Sequence, residues 1–519
     1  MKRDFTQNML QELLSAVQDT SDKELNGIYD HCSSPYSASE EKFSHAVSLE
    51  KRICQAQDGM WDLDSRLRAC SGKLERLFGT MHGCDLSHAQ DIRMVVEYAA
   101  LFNQTIRQVA ELLSSDTVVD ASGSLSRIAI FFRSQHVSLQ IWLLLRSLIS
   151  AKLKLQTLID DYYVDTMIRQ TPEYQKLLNN RTPEEEQRIR EELRVVLLYE
   201  RDHEGSKQIS NVDEFVSPLE LRDQIGIKAV AYQAKEPYRS LFLDNCDKVK
   251  FERVESYIGS DGKVESGFGY YSPGSKTISI DFETRDQSQD PRGSYSVVFH
   301  EFGHYLDDEF SEKGKIYKSE TYQLPNGKTL RDTITDNTRQ HIYDTTRDVL
   351  SQDEKVCNQY TDRQRDSLIK AVYHHLVYGN LPGYEPQYNG HSEETVRRLA
   401  RKVQAEYQTH QNPDVINLNS PYASGVSDAY DGVTNYTRDK GNPNPSGLTG
   451  KGVSGNYQHD DDYWYDKDGN RIRSPESEAF AQYYAEQMLD NQDAIKAYEY
   501  YLGKDAREGL DLMIADMAK

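Results

Sequence analysis

Apolar positions follow three regimes along the chain. From residue 1 to about 165 they recur at helical spacing. Examples are Met9-Leu10-Leu13-Leu14-Val17, Leu63-Leu67-Leu74-Leu77-Phe78, Val95-Val96-Tyr98-Leu101-Phe102 and Leu139-Trp142-Leu143-Leu145-Leu148-Ile149. Apolar residues three and four apart form one stripe on a helix, so residues 1–165 are predicted to form a helical bundle or long hairpin. Residues 166–247 stay helical and become strongly charged. Thr182-Pro183-Glu184-Glu185-Glu186 supplies an N-cap and a proline for the first helical position. The run to Glu192 reads as a solvated helix face, and 205–245 as a connector. From about 248 the period shortens. Phe251-Glu252-Arg253-Val254 and Lys263-Val264-Glu265 flank Gly259-Ser260-Asp261-Gly262, a hairpin signal. Lys276-Thr277-Ile278-Ser279-Ile280-Asp281 alternates as a half-buried strand would. A helical segment at about 329–410 and a Gly/Asn/Pro-rich stretch at about 411–470 follow. The predicted class is α+β: an all-α module at 1–165, a helical connector at 166–247, and a mixed domain at 248–519 carrying an insertion at about 311–470.

The helix expected after the strand carries chemistry. It reads Val297-Val298-Phe299-His300-Glu301-Phe302-Gly303-His304-Tyr305-Leu306, an H-E-x-x-H motif. Residues four apart share a helix face, with Cβ atoms about 5–6 Å apart. Both imidazoles can therefore bind one Zn²⁺ at about 2.0–2.1 Å. Glu301 then falls beside the open coordination position, where it can take a proton from bound water. Strand, loop and active-site helix is the order of a zincin. The strand before the helix is expected to form the sheet edge along which an extended peptide adds.

Two histidines need a third ligand. A metzincin would continue with glycine and histidine at positions held here by Asp307 and Phe310, which excludes that class. A carboxylate on a later helix is the alternative, and the segment from Ser474 to Glu486 offers one. Ser474 can cap it, and Pro475 suits its first turn. Glu478 is the candidate, with Glu476 and Glu486 competing. Glu476 and Glu478 lie about 200° apart around a helix and cannot both face one metal. Glu478, three before Ala481, joins the buried side. Glu476 sits in the first turn, where the helix dipole favours a carboxylate without any metal.

His300-Glu301-Phe302-Gly303-His304-Tyr305-Leu306-Asp307-Asp308 resembles the active-site helix of anthrax lethal factor-like gluzincin peptidases, and Glu476-Ser477-Glu478-Ala479-Phe480-Ala481 is similar to their third-ligand helix. The segment Ser424-Gly425-Val426-Ser427-Asp428-Ala429-Tyr430, with His459 and Tyr463-Trp464, also resembles HExxH proteins of Firmicute phages and polymorphic toxins. The resemblance spans roughly residues 250–490. It implies a zincin-like catalytic domain, zinc held by His300, His304 and Glu478, and peptide hydrolysis with Glu301 as proton carrier. Two departures stand out. The spacing from His304 to Glu478 is longer than in the lethal-factor type. The position seven before Glu478, a tyrosine in that type, is Arg471. The oxyanion must find another donor, and Tyr463, Tyr465 and His459 are the candidates. Asp307 or Asp308 is expected to orient a ligating histidine from behind. His374 and His375 are adjacent on one helix and cannot both aim at one metal, so they read as core or surface.

Composition narrows the partners. Net charge is −22, and no basic footprint points to nucleic acid or an anionic membrane. Mean hydropathy is −0.74, and the most apolar run, Ile141 to Leu145, ends at Arg146, too short to span a bilayer. Met1-Lys2-Arg3 is followed by no apolar signal core. The expected location is cytoplasmic, with leaderless export or virion association as alternatives. The N-terminal module suits a delivery or assembly partner and has the size of a type VII secretion N-terminus. The six cysteines, none spaced C-x-x-C, read as reduced thiols. The expected function is a zinc endopeptidase acting on protein or peptide, of phage or effector type. The alternative is a non-enzymatic phage structural or secreted interaction protein whose zinc is structural.

Overall fold

The computed structural model describes residues 157, 160–161, 163–254, 257–258, 264–265, 269–283, 285–312, 317–378, 388–409, 416–418, 420, 423–434, 448, 464 and 473–519. The N-terminal module expected at 1–165 lies almost wholly outside the described residues. The chain divides into two compact units, Met1–Asn179 and Asn180–Lys519. In the first, the described residues include a helix at Pro172–Leu178. The second holds the HExxH motif and is mostly helical, with a small mixed sheet.

Four helices open the second unit: α1 (Pro183–Asp202), α2 (Lys207–Val216), α3 (Leu221–Gln233) and α4 (Tyr238–Asn245). α1 starts on a capping box: the Thr182 hydroxyl accepts from the Glu185 N–H, and the Glu185 carboxylate accepts from the Thr182 N–H. Its inner face buries Ile189, Leu193, Val196 and Leu197. Glu192, expected on a solvated face, instead accepts a two-pronged contact from Arg222 of α3 at 2.5 and 3.1 Å. The region read as a connector belongs to the same compact unit as the motif. Phe215 of α2 and Phe242 of α4 stack against Phe302, with ring centroids 6.1 and 4.8 Å away.

The sheet contains β1 (Lys250–Val254), β4 (Gly269–Ser272) and β5 (Thr277–Asp281) in the order β1-β5-β4. β2 (Tyr257–Ile258) and β3 (Val264–Glu265) form a separate antiparallel pair. The hairpin expected between 251–254 and 263–265 is therefore reassigned. β1 pairs in parallel with β5, Phe251 opposite Ile278, and only the short β2 joins β3. β5 is not the half-buried edge strand expected. It is central and buried at every position, polar Ser279 and Asp281 included. Side chains alternate between the two faces of a sheet, and both faces of β5 are covered, so its alternation does not mark a solvent face. The edges are β1 and β4.

The motif helix α5 (Ser296–Glu309) follows. Its entry residue Tyr295 has φ of 63°, an uncommon left-handed conformation, and its hydroxyl donates to Asp223 at 3.1 Å. Gly226 makes room for it: a Cβ there would lie 2.1 Å from the Tyr295 ring. After the short α6 (Lys318–Thr321), a helical layer forms around α7 (Leu330–Ser351). α7 buries Leu330, Ile334, Thr338, Ile342, Thr346 and Leu350, a four-residue rhythm facing its neighbours. Those are α9 (Asp362–Tyr378), α10 (Glu393–Thr409), α11 (Ser424–Val433), α13 (Gln492–Leu502) and α14 (Lys504–Met517), with α8 (Glu354–Gln359) between α7 and α9. α12 (Pro475–Met488) lies between this layer and α5. Among the described residues no helix is long and apolar enough to cross a membrane.

Candidate metal centre

The site is built where α5 crosses α12. A Cβ at Gly303 would sit 2.7 Å from the Ala481 Cα and 2.9 Å from its carbonyl oxygen. The two backbones thus approach closer than any pair of side chains would allow, and glycine is required. Val297, Val298, Phe299, Phe302 and Leu306 are fully buried around this crossing. Every residue from Pro475 to Glu486 is buried.

Three chemistry-bearing side chains meet there. The Nε2 atoms of His300 and His304 lie 3.4 and 3.3 Å from the same oxygen, Oε2 of Glu478. The imidazole rings stand edge to face, 4.8 Å between centroids. One ligand atom from each of the three falls within 4.8 Å of the others. These distances exceed a charge-assisted hydrogen bond, about 2.7–2.9 Å. They match the edge of a tetrahedron with bonds of about 2.0–2.1 Å, roughly 3.3–3.4 Å, and two imidazoles with one carboxylate form a donor set that zinc takes. The donor set and its spacing fit that ion. Burial opposes a charge on His304, but Glu478 beside it, helped by Glu301 and Asp307, outweighs this and pushes the imidazole up to about 9. A metal ion entering the cluster must displace that proton.

Glu476 goes elsewhere. It is buried on the opposite side of α12, 3.3 Å from the Arg331 guanidinium of α7. Glu486, the third carboxylate considered, is fully buried at the far end of α12 and accepts from Gln482 Nε2 at 2.7 Å. Burial pushes it up to about 8, against the pull of Gln482 and Asn491. Ser474 stands at the N-cap of α12 but does not cap it. Its hydroxyl donates to Glu320 of α6 instead.

Behind the cluster runs a relay. His304 Nδ1 is 3.3 Å from Ser477 Oγ, and Ser477 lies near enough to the Asp307 carboxylate to stabilise its charge. Asp307, fully buried, accepts from the Ser319 N–H at 2.7 Å and from its hydroxyl at 2.6 Å. Burial pushes Asp307 up to about 6, against Ser319 and Ser477, which pull it down. So Asp307 reaches His304 through a serine that sequence reasoning did not single out. Asp308 points away, accepting from Tyr271 of β4 at 2.6 Å.

Glu301 is buried beside the pair, and its charge is felt at His304. Its carboxylate makes no hydrogen bond to a described residue. His459, Tyr463 and Tyr465, the oxyanion-stabilising candidates, lie outside the described residues. Trp464, between the two tyrosines, is buried against Gly432 of α11. His374 and His375 sit on α9, away from the cluster. His375 is buried, and burial pushes its imidazole down to about 4. Compared with protein-family models, curated proteins and solved structures, the chain matches none.

Proposed function

We propose that the second unit is a zinc-dependent endopeptidase with a zincin-like, gluzincin-type active site. The observation that carries this reading is the meeting of His300 Nε2 and His304 Nε2 on Glu478 Oε2 at 3.4 and 3.3 Å, with one ligand atom of each residue within 4.8 Å of the others, on a helix crossing held by Gly303. His300, His304 and Glu478 would hold the ion. When bound, zinc supplies Lewis acidity and lowers the pKa of a coordinated water toward about 7. Ser477 and Asp307 hold the His304 ring by its other nitrogen, the arrangement that orients a ligating imidazole. Glu301 accepts a proton from the attacking water and returns it to the departing amide nitrogen. β4 is the sheet edge on the α5 side, its Tyr270 exposed, and an extended peptide can add there.

A purely structural zinc would call for four protein ligands, whereas three converge among the described residues. Metal analysis and a peptide-library digest test the proposal. Wild-type protein is expected to bind one zinc per chain and to cleave. Glu301→Gln is expected to keep zinc and fold and to lose about 10²–10⁴ in turnover. Absence of stoichiometric zinc at neutral pH would remove the hypothesis. A zinc-loaded chain whose hydrolysis survives Glu301→Gln would remove the assigned base. Zinc without hydrolysis would leave a structural site.

A further inference from the structure

We propose that Tyr317 donates the hydrogen bond that stabilises the oxyanion formed at the scissile carbonyl, a role that rests on the peptidase reading above. Three observations place it. Tyr317 directly precedes α6, and α6 is clamped on both sides of the cluster. Ser319 binds Asp307 on the HExxH helix through its N–H and its hydroxyl, at 2.7 and 2.6 Å. Glu320 takes the hydroxyl of Ser474, four residues before Glu478. The segment carrying Tyr317 is therefore pinned between the helix that supplies both histidines and the helix that supplies the glutamate.

The surroundings of the phenol agree with that position. It is partly buried, and the charges acting on it are Arg473, Asp307, Glu478 and Asp308, which belong to those two helices and their approach. Burial, eased by Arg473, pushes the phenol up to about 12, so it remains a protonated donor at working pH. Its hydroxyl is committed to no described residue, which leaves the donor available. Tyr305 of α5, whose hydroxyl is also unpartnered among the described residues, turns its ring toward Tyr271 and Phe302, and other phenols are already committed. Tyr271 donates to Asp308 at 2.6 Å, Tyr498 to the Ala479 carbonyl at 3.0 Å, and Tyr483 to Asp511 at 2.6 Å.

The chemistry balances without a further reagent. The water oxygen forms a bond to the carbonyl carbon, and the C=O π pair moves onto the carbonyl oxygen. Tyr317 O–H donates to that oxygen and keeps its proton. Collapse re-forms the C=O bond, the C–N bond breaks, and the amine leaves with the proton returned by Glu301. A donor aimed at the charge that develops is worth about 10²–10³ in kcat.

The test compares zinc-loaded wild type with Tyr317→Phe, which removes one oxygen and leaves the ring in place. Zinc content, kcat, KM and the Kd of acetohydroxamate by calorimetry are measured on both. The Phe variant is expected to keep one zinc per chain and an unchanged KM. It is expected to lose about 10²–10³ in kcat and to bind acetohydroxamate about tenfold more weakly, the worth of one hydrogen bond. Wild-type kcat and wild-type acetohydroxamate affinity in the Phe variant would overturn the role of Tyr317 alone. Zinc-loaded wild type that binds no acetohydroxamate has no open metal position, and would overturn the peptidase reading together with Tyr317.

Discussion

Glu478 and Glu486 stand just over two turns apart on the same helix, and both are buried. One meets two imidazoles; the other meets amides. At the upper end of α12, Glu478 lies 3.4 and 3.3 Å from the imidazoles of His300 and His304, and its charge holds the His304 imidazole up. At the lower end Gln482 supplies a neutral donor, and burial pushes the carboxyl up to about 8 despite the more distant pull of Arg292. A carboxylate taken out of water must find a counter-charge or keep its proton. The two ends of α12 illustrate the two answers. Burial alone thus does not identify a ligand. The partner does.

The largest effect on metal binding should come from separating Glu478 from its near neighbour. Glu478→Ala is expected to weaken zinc binding by on the order of 10²–10³-fold, about a quarter of the 10–16 kcal/mol typical of a structural zinc site. Glu476→Ala should leave zinc affinity unchanged and lower stability, because Arg331 loses its partner. Competition titration against a chelator reads both. If Glu476→Ala loses the metal and Glu478→Ala keeps it, the comparison is reversed.

The next effect concerns the opening helices, which cover the lower end. Tyr484 of α12 donates to the Tyr238 carbonyl of α4 at 3.1 Å. A fragment of residues 180–519 is expected to melt cooperatively. A fragment of 206–519 loses α1 and its four buried apolar side chains, and should be less stable by roughly 5 kcal/mol or more at about 1.5–3 kcal/mol each. Equal urea midpoints for the two fragments would show that α1 is dispensable.

Glu486→Gln sharpens the contrast through pH. The folded carboxyl titrates near 8, the unfolded one near 4.3. Between those values the folded state holds the extra proton, so wild-type stability falls as pH rises through the window. The variant lacks that slope. Its advantage should be small at pH 5 and reach on the order of a few kcal/mol at pH 9. Parallel melting curves for the two proteins at every pH would show that Glu486 is not held as the acid.

The smallest effect is expected behind the cluster. Ser477→Ala breaks the path from Asp307 to His304 and should cost about 10–100-fold in zinc affinity, while Ser477→Thr restores most of it. A Thr variant as weak as Ala would mean that packing at this position, not its hydroxyl, supports the histidine.

Much of the cluster could be read before the fold. The HExxH helix shows its apolar period, and helix geometry separates Glu478 from Glu476 with no tertiary information. The relay could not be read, because Ser477 acquires its meaning only when α12 crosses α5. Tyr317 is more opaque still: the chain has 34 tyrosines, and this one is placed by contacts of Ser319 and Glu320 with two other helices. The sheet misled for a related reason. Thr277, Ser279 and Asp281 alternate with isoleucines as on a half-exposed strand, yet both faces of β5 are covered by the rest of the unit. Residues 205–245 read as a connector because their charge hides the aromatic contacts of Phe215 and Phe242.

The contact of Gly303 with Ala481 has a consequence for how such a chain can diversify. A crossing made backbone to backbone sets the spacing of His300, His304 and Glu478, with α6 and the approach to α12 as its close supports, so the stretch between those two need not fix it. Closing a longer loop costs only about 0.6 kcal/mol for each doubling of its length. Helices and loops in that interval can therefore be lengthened, trimmed or exchanged while the two histidines and the glutamate stay in register. The interval can be rebuilt without rebuilding the cluster.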